Sequence, residues 1–273
     1  MTPFVVGVVL LAGAVAGGLG ATLGIGGGIF LVPFLTIVMG WPIGVAAAIS
    51  LTTVIGTSSA VSARRSGSQQ INFRLGMVLE VATAAGSLLG GITAQYLEQH
   101  TLERIFAAVT FAVGASTLSR LSTRNVLPGE HDPGPLGGRY LEAESGGIVT
   151  YRVKRLPLAL VASFVAGNVS SLLGLGGGVI KVPVLNTWCG VPLRAAASTS
   201  AFMIGVTAAA GAIIYYGSGQ LVPVLAAAAV LGVQGGSSLG MMAGRHATAR
   251  SLKLLLATVL FAVSLLMLYR SLA

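Results

Sequence analysis

GATLGIGGGIFLVPFL (residues 20–35) and SSLLGLGGGVIKVPVL (residues 170–185) lie 150 positions apart in one chain of 273 residues. Each sets three consecutive glycines inside an apolar run and follows them with a proline five residues later. Glycine is among the poorest helix formers, and proline breaks helix interiors. Two such interruptions at one spacing decide how the rest of the chain is read.

The same register continues without a gap. It pairs Ala16-Gly17 with Ala166-Gly167, Pro33 with Pro183, Gly40 with Gly190 and Pro42 with Pro192. Beyond these, Ser50 meets Ser200, Gly67-Ser68 meets Gly217-Ser218, and Gly86-Ser87 meets Gly236-Ser237. Gly90 then meets Gly240, and Phe111-Ala112-Val113 meets Phe261-Ala262-Val263. Chance alignment of two apolar sequences would match alanines and leucines, not glycines and prolines in register. The chain is read as a duplication: a first repeat over 1–119, a linker over 120–156 and a second repeat over 157–273.

Composition sets the solvent. The chain is 54% hydrophobic and only 8% charged, with mean hydropathy +0.89, whereas soluble domains carry about 25% charged residues. Several nearly charge-free runs reach the roughly 20 residues that a spanning helix needs. The expected fold is an all-α polytopic membrane protein of two inverted repeats. Each repeat would hold glycine-broken half-helices and about three transmembrane helices, 8–10 membrane segments in all. The N-terminal MTPFVVGVVL lacks a basic leader and reads as mature structure rather than a signal peptide. A net charge of +9 does not call for a nucleic-acid partner, because the basic residues lie between apolar runs, where they set orientation.

Those charges predict the inversion. The loop after 42–63 carries Arg64, Arg65 and Arg74, and the next carries Glu98, Glu103 and Arg104. In the second repeat the loop at 217–221 is uncharged and the next carries Arg245, Arg250 and Lys253. Corresponding loops therefore fall on opposite sides of the membrane. The scheme puts the N-terminus outside and the linker in the cytoplasm. The linker is rich in Gly, Pro and charges of both signs, so it reads as a surface loop. Nothing near its His131 and Asp132 completes a catalytic site.

After each glycine triplet the apolar runs 29–39 and 179–189 hold 11 residues, about 16 Å of helix, half the hydrocarbon core. Irregular backbone is tolerated at membrane depth only where protein or a water-filled cavity borders it. Its N–H groups and the half-helix dipole then suit an anion. Gly26, Gly27, Gly28, Gly176, Gly177 and Gly178 are the candidate binding backbone. Close helix packing explains Gly17, Gly20 and Gly24 by their helical spacing, but not a consecutive triplet.

The paired G-(I/L)-G-G-G-x-(I/F)-x-V-P-x-L motifs resemble those of the TauE/SafE family of sulfite exporters, also called the TSUP family. The likeness covers the chain apart from the linker. It implies transport of small anions, sulfite, thiosulfate, sulfoacetate and related organosulfonates, across the bacterial inner membrane. Lys181 departs from the apolar residue usual at its position in that motif.

Ionisable groups within a membrane are functional candidates by default. Lys181 opens the second half-helix opposite Leu31 and has two readings: contact with an anionic substrate, or snorkelling to the interface. Glu80, whose counterpart is Val230, is either a proton-coupling carboxylate or an interfacial acid paired with Arg74 or Arg104. Neutral donors complete the candidate site: Thr22 before the first break; Asn168, Ser170 and Ser171 before the second; Ser50, Thr52 and Thr53 matched by Ser198, Thr199 and Ser200. Gln234 with Ser237 and Ser238 forms a third patch. The lone Cys189 excludes an intrachain disulfide and reads as a small apolar residue.

Function is thereby expected to be secondary transport, with export as the direction, of a small sulfur-containing anion by alternating access. An anion channel and a carboxylate transporter are the alternatives. No Walker or H-E-x-x-H motif occurs, and no enzyme activity, cofactor or metal is expected. The partners expected are the small anion and the lipid bilayer, with proton coupling an open option. Oligomeric state stays open.

Overall fold

The computed structural model describes residues 2–23, 25–65, 70–119, 132–141, 147–244 and 249–272. His131, Gly24, Gly67, Ser68 and Arg245, which figure in the sequence reading, lie outside the described residues, as does 120–131 of the linker.

Among the described residues five helices form each repeat. The first holds α1 (Pro3–Leu23), α2 (Gly28–Pro33), α3 (Ile43–Arg65), α4 (Phe73–Ala94) and α5 (Gln99–Ser119). The second holds α6 (Leu156–Leu173), α7 (Gly178–Thr187), α8 (Leu193–Gly217), α9 (Pro223–Gly244) and α10 (Ala249–Leu272). Every element of the second repeat falls on its counterpart when the numbering is shifted by the offset of the glycine motif. Beyond Pro33, α2 continues as a π-helical turn over Phe34–Val38, a distortion expected where proline removes a backbone donor. Among the described residues six helices, α1, α3, α4, α6, α8 and α9, are long and apolar enough to cross a membrane.

The packing obeys the same duplication. Helix α1 lies along α9, and the equivalent pair α6 lies along α4. Helix α3 packs on its own counterpart α8, and α5 on α10. Direction follows from the residues that meet. Glu103 faces Arg270 at 3.1 Å, Ser264 donates to the Ala107 carbonyl at 2.8 Å, and Phe111 meets Phe261 edge-on at 5.3 Å. As one number rises the other falls, so the equivalent helices α5 and α10 run antiparallel. That is the arrangement of inverted repeats related by an axis lying across the helices.

The short helices turn back. The Lys154 N–H, just before α6, donates to the Cys189 carbonyl just after α7 at 2.9 Å. Between those ends, Gly177 comes against Ala166 and Ser170 of α6. Helix α7 therefore begins beside the last turns of α6 and returns to the side from which α6 started. With 10 residues it is about 15 Å long, half the thickness of a hydrocarbon core. The first repeat has the same hairpin, with Gly27 against Ala16 and Gly20 against Gly26 and Gly27.

Seams between helices are built on small residues. Gly86 and Gly90 of α4 press on the backbone of Phe164 and Asn168, and Gly236 and Gly240 of α9 on that of Ala14 and Gly18. Removing the side chain lets backbones touch, the usual way membrane helices gain contact when lipid is as apolar as leucine.

The linker departs from the expected loop. Residues Gly138–Leu141 (β1) and Ile148–Tyr151 (β2) form an antiparallel hairpin. Tyr140, Val149 and Tyr151 are buried with Leu75, Val191, Ala195 and Ala196 at the start of α4 and α8. Asn72 ties it down. Its side-chain oxygen caps α4 by accepting from the Leu75 N–H at 3.0 Å, and its amide donates to the Leu136 carbonyl at 2.8 Å and to the Tyr151 hydroxyl at 3.1 Å. Burial pushes the Tyr151 phenol above its ordinary pKa, with the bond from Asn72 opposing.

Candidate functional site

Each break begins where a helix closes on itself. Gly174 ends α6 at φ 74°, and the Leu175 N–H donates back to the Ser170 carbonyl at 3.0 Å. This is a Schellman-type closure, which needs the left-handed conformation that glycine adopts without strain. The Ile25 N–H makes the equivalent bond to the Gly20 carbonyl at 3.2 Å. Gly177, at φ 71°, opens α7. The first N–H groups of α7 have no acceptor within the helix, as at every helix start.

The two breaks meet. A side chain on Gly28 would collide with the Gly174 carbonyl and the Ser50 hydroxyl, and that hydroxyl donates to the same carbonyl at 2.6 Å. Val54 of α3 stands against both Gly26 and Gly176. Ile25, Ile29, Val54, Leu173, Leu175, Val179 and Ile204 bury together around this junction.

A polar cluster adjoins the second break. Lys181 is 1% exposed and Glu80 8%, and the Lys181 ammonium lies 3.6 Å from Glu80 Oε2. Thr207 of α8 joins them: its hydroxyl donates to Glu80 Oε1 at 2.7 Å and accepts from Lys181 Nζ at 3.1 Å. Ser87 donates to the Thr207 carbonyl at 2.7 Å. This corrects two expectations. Glu80 is paired with Lys181 rather than with Arg74 or Arg104, and Lys181 does not snorkel to an interface. A buried charge without a partner is costly, which favours their pairing. Both lack a counterpart in the other repeat, which is the signal in the sequence that could have joined them. Thr207 and Ser87 carried no such signal.

The neutral candidates separate. Ser170, Ser171 and Ser200 are fully buried, and among the described residues their hydroxyls have no hydrogen-bond partner. Ser50 reaches the second break as described. Thr22, Thr52 and Thr53 are turned onto their own helices, donating to the carbonyls of Leu19, Ile49 and Ser50. Thr199 accepts from the Asn72 N–H at 3.0 Å, and Ser198 donates to Gln70 at 3.3 Å. Asn168 lies on the α4–α6 seam, its backbone against Gly86 and Gly90. Gln234 is on the exposed flank of α9, and its neighbour Ser238 accepts from Arg64 at 2.6 Å. The Gln234 amide lies beside Gly56 of α3, and Ser237 is buried and donates to the Gln234 carbonyl at 3.1 Å. Glu103 is wholly buried and paired with Arg270, not in a loop.

Among the described residues no group of His, Cys, Asp and Glu could hold a metal ion. A family model described as sulfite exporter TauE/SafE matches residues 9–267. The chain is 24% identical to a probable membrane transporter protein, YunE, of Bacillus subtilis, over 97% of each chain. It is 23% identical to the probable membrane transporter protein MJ0441 of Methanocaldococcus jannaschii, over 95% of this chain and 94% of the other. No solved structure matches.

Proposed function

The chain belongs to the sulfite exporter TauE/SafE family and is a membrane transporter, and on that premise we propose that it carries a small sulfur-containing oxyanion or organosulfonate. Binding takes place where the two glycine breaks meet, and alternating access moves the site between the two faces. Export is the direction that the family's name carries. The protein sits in the bacterial inner membrane with its N-terminus outside and the linker in the cytoplasm, the arrangement favoured by its loop charges.

One observation carries this reading: Gly28, the first residue of α2, packs on the carbonyl of Gly174, which ends α6, and Val54 stands against both Gly26 and Gly176, so the two breaks adjoin. Helix N-termini aimed at a midplane site suit an anion, and buried hydroxyls such as those of Ser170, Ser171 and Ser200 add donors at little desolvation cost. Inverted repeats supply two equivalent packings of one core, as alternating access requires.

Flux of sulfite, thiosulfate, sulfoacetate and simple carboxylates into proteoliposomes tests it. Saturable uptake and counterflow of a sulfur anion are expected. Currents beyond about 10⁶ ions per second, far above ordinary turnover, mean a channel. A carboxylate carried in place of every sulfur anion overturns the substrate class.

A further inference from the structure

The Lys181–Glu80 pair is incompletely satisfied at both ends. An ammonium has three donors, and among the described residues Lys181 places one on Thr207 and faces Glu80 at 3.6 Å. Among the described residues Glu80 Oε2 accepts no hydrogen bond. The Lys181 stem crosses Gly177, where the positions of Lys181 Cε and Ser170 Cβ lie 3.5 and 3.3 Å from where a side chain would begin. Ser171, whose hydroxyl also lacks a partner, stands against Gly211, one turn beyond Thr207. Four under-used polar groups thus gather among α4, α6, α7 and α8, on the flank of the second break.

We propose that Glu80 is an internal counter-anion which the transported anion replaces at Lys181, so that one anion binds together with one proton. This rests on the small-anion reading above. Two anions cannot share one ammonium in a site of low dielectric, because their repulsion there is unscreened. When the substrate takes Lys181, a proton from water passes to Glu80 Oε2 and leaves a neutral carboxylic acid still bonded to Thr207. No proton leaves Lys181. A carboxylate is exchanged for a substrate of equal charge, so the buried site stays neutral for a monoanion and not for a dianion. The site therefore selects monoanions.

Charges facing Glu80 are few. Helix α6 holds no titratable side chain; α8 has Arg194, Tyr215 and Tyr216 near its ends; α4 itself has Arg74 in its first turn. Arg139, Tyr140 and Tyr151 of the hairpin lie beyond the start of α4. Among the described residues Lys181 is the cation within ion-pair distance. Anion and proton then move together. The cycle exports while the outward anion gradient exceeds the inward proton gradient and imports otherwise.

Calorimetry and proton uptake on the purified full-length protein, with methanesulfonate as monoanion and thiosulfate as dianion, test this. Both stay ionised near neutral pH, so any proton taken up is the protein's. Methanesulfonate is expected to bind with uptake of about one proton and to weaken about tenfold per pH unit above the carboxyl's titration, with thiosulfate the weaker ligand. At a pH low enough to keep the unpaired Lys181 an ammonium, Glu80→Gln is expected to bind without proton uptake and without pH dependence, and methanesulfonate raises its unfolding midpoint by mass action. Lys181→Gln loses binding. The neutral double variant Glu80→Gln/Lys181→Gln keeps its fold and does not bind. Wild-type binding without proton uptake, or uptake unchanged in Glu80→Gln, overturns this inference alone. If the folded wild type binds none of sulfite, methanesulfonate and thiosulfate, the small-anion reading falls with it.

Discussion

Gly28 and Gly174 belong to different repeats, yet the α-carbon of the first lies against the carbonyl of the second, with Ser50 holding that carbonyl at 2.6 Å. A methyl group at Gly28 has no room, since its obstacles are backbone and a hydroxyl already in use. Gly28→Ala is expected to cost about 1–3 kcal/mol of stability through overpacking and to abolish flux. Gly235→Ala, on α9 with nothing within 4 Å, is the control and should leave both unchanged. Unfolding midpoints in detergent and proteoliposome flux are the measurements.

Charge pairing across the repeats predicts a strongly non-additive cycle. Lys181→Gln and Glu80→Gln each leave a buried charge uncompensated and should each destabilise by about 3–5 kcal/mol, while the double variant recovers most of the loss. Additive losses in denaturant unfolding would show that the two groups do not interact.

The helix seams obey the duplication. Gly86 and Gly236 are equivalent positions, and each meets a carbonyl of the neighbouring helix, Phe164 in one case and Ala14 in the other. Gly86→Ala and Gly236→Ala should therefore destabilise to a similar degree, about 1–3 kcal/mol. A large loss at one and none at the other, by thermal unfolding, would contradict equivalent seams.

Asn72 joins the hairpin of the linker to α4. Asn72→Ala removes the cap, worth about 1 kcal/mol, and both anchoring bonds to Leu136 and Tyr151. Limited proteolysis should then cut the linker faster, with transmembrane helix content by circular dichroism unchanged. Equal cutting rates would mean that packing of Tyr140, Val149 and Tyr151 alone holds the hairpin.

Much of the fold is written in local chemistry. Scarcity of charge identifies the membrane as solvent. Glycine triplets and prolines mark the breaks because backbone conformation there depends on the residue itself. The 150-residue register and the reversed loop charges give the inverted repeats that antiparallel α5 and α10 display. The hairpin escaped because strands of four residues leave too short an alternation to stand out from the surrounding glycines, prolines and charges.

The candidate site divides along the same line. That Lys181 and Glu80 were exceptional could be read from their lack of counterparts; that they face one another could not. Their meeting depends on how α4 of one repeat and α7 of the other are rotated and set against α8, which is fixed by glycine seams at a distance from both. The same rotation buries Ser170 and Ser171 and leaves Gln234 exposed beside Gly56, although all three are polar residues on apolar helices. Residue type sets the cost of burying a group, and only the packed helices decide which groups are buried and beside what.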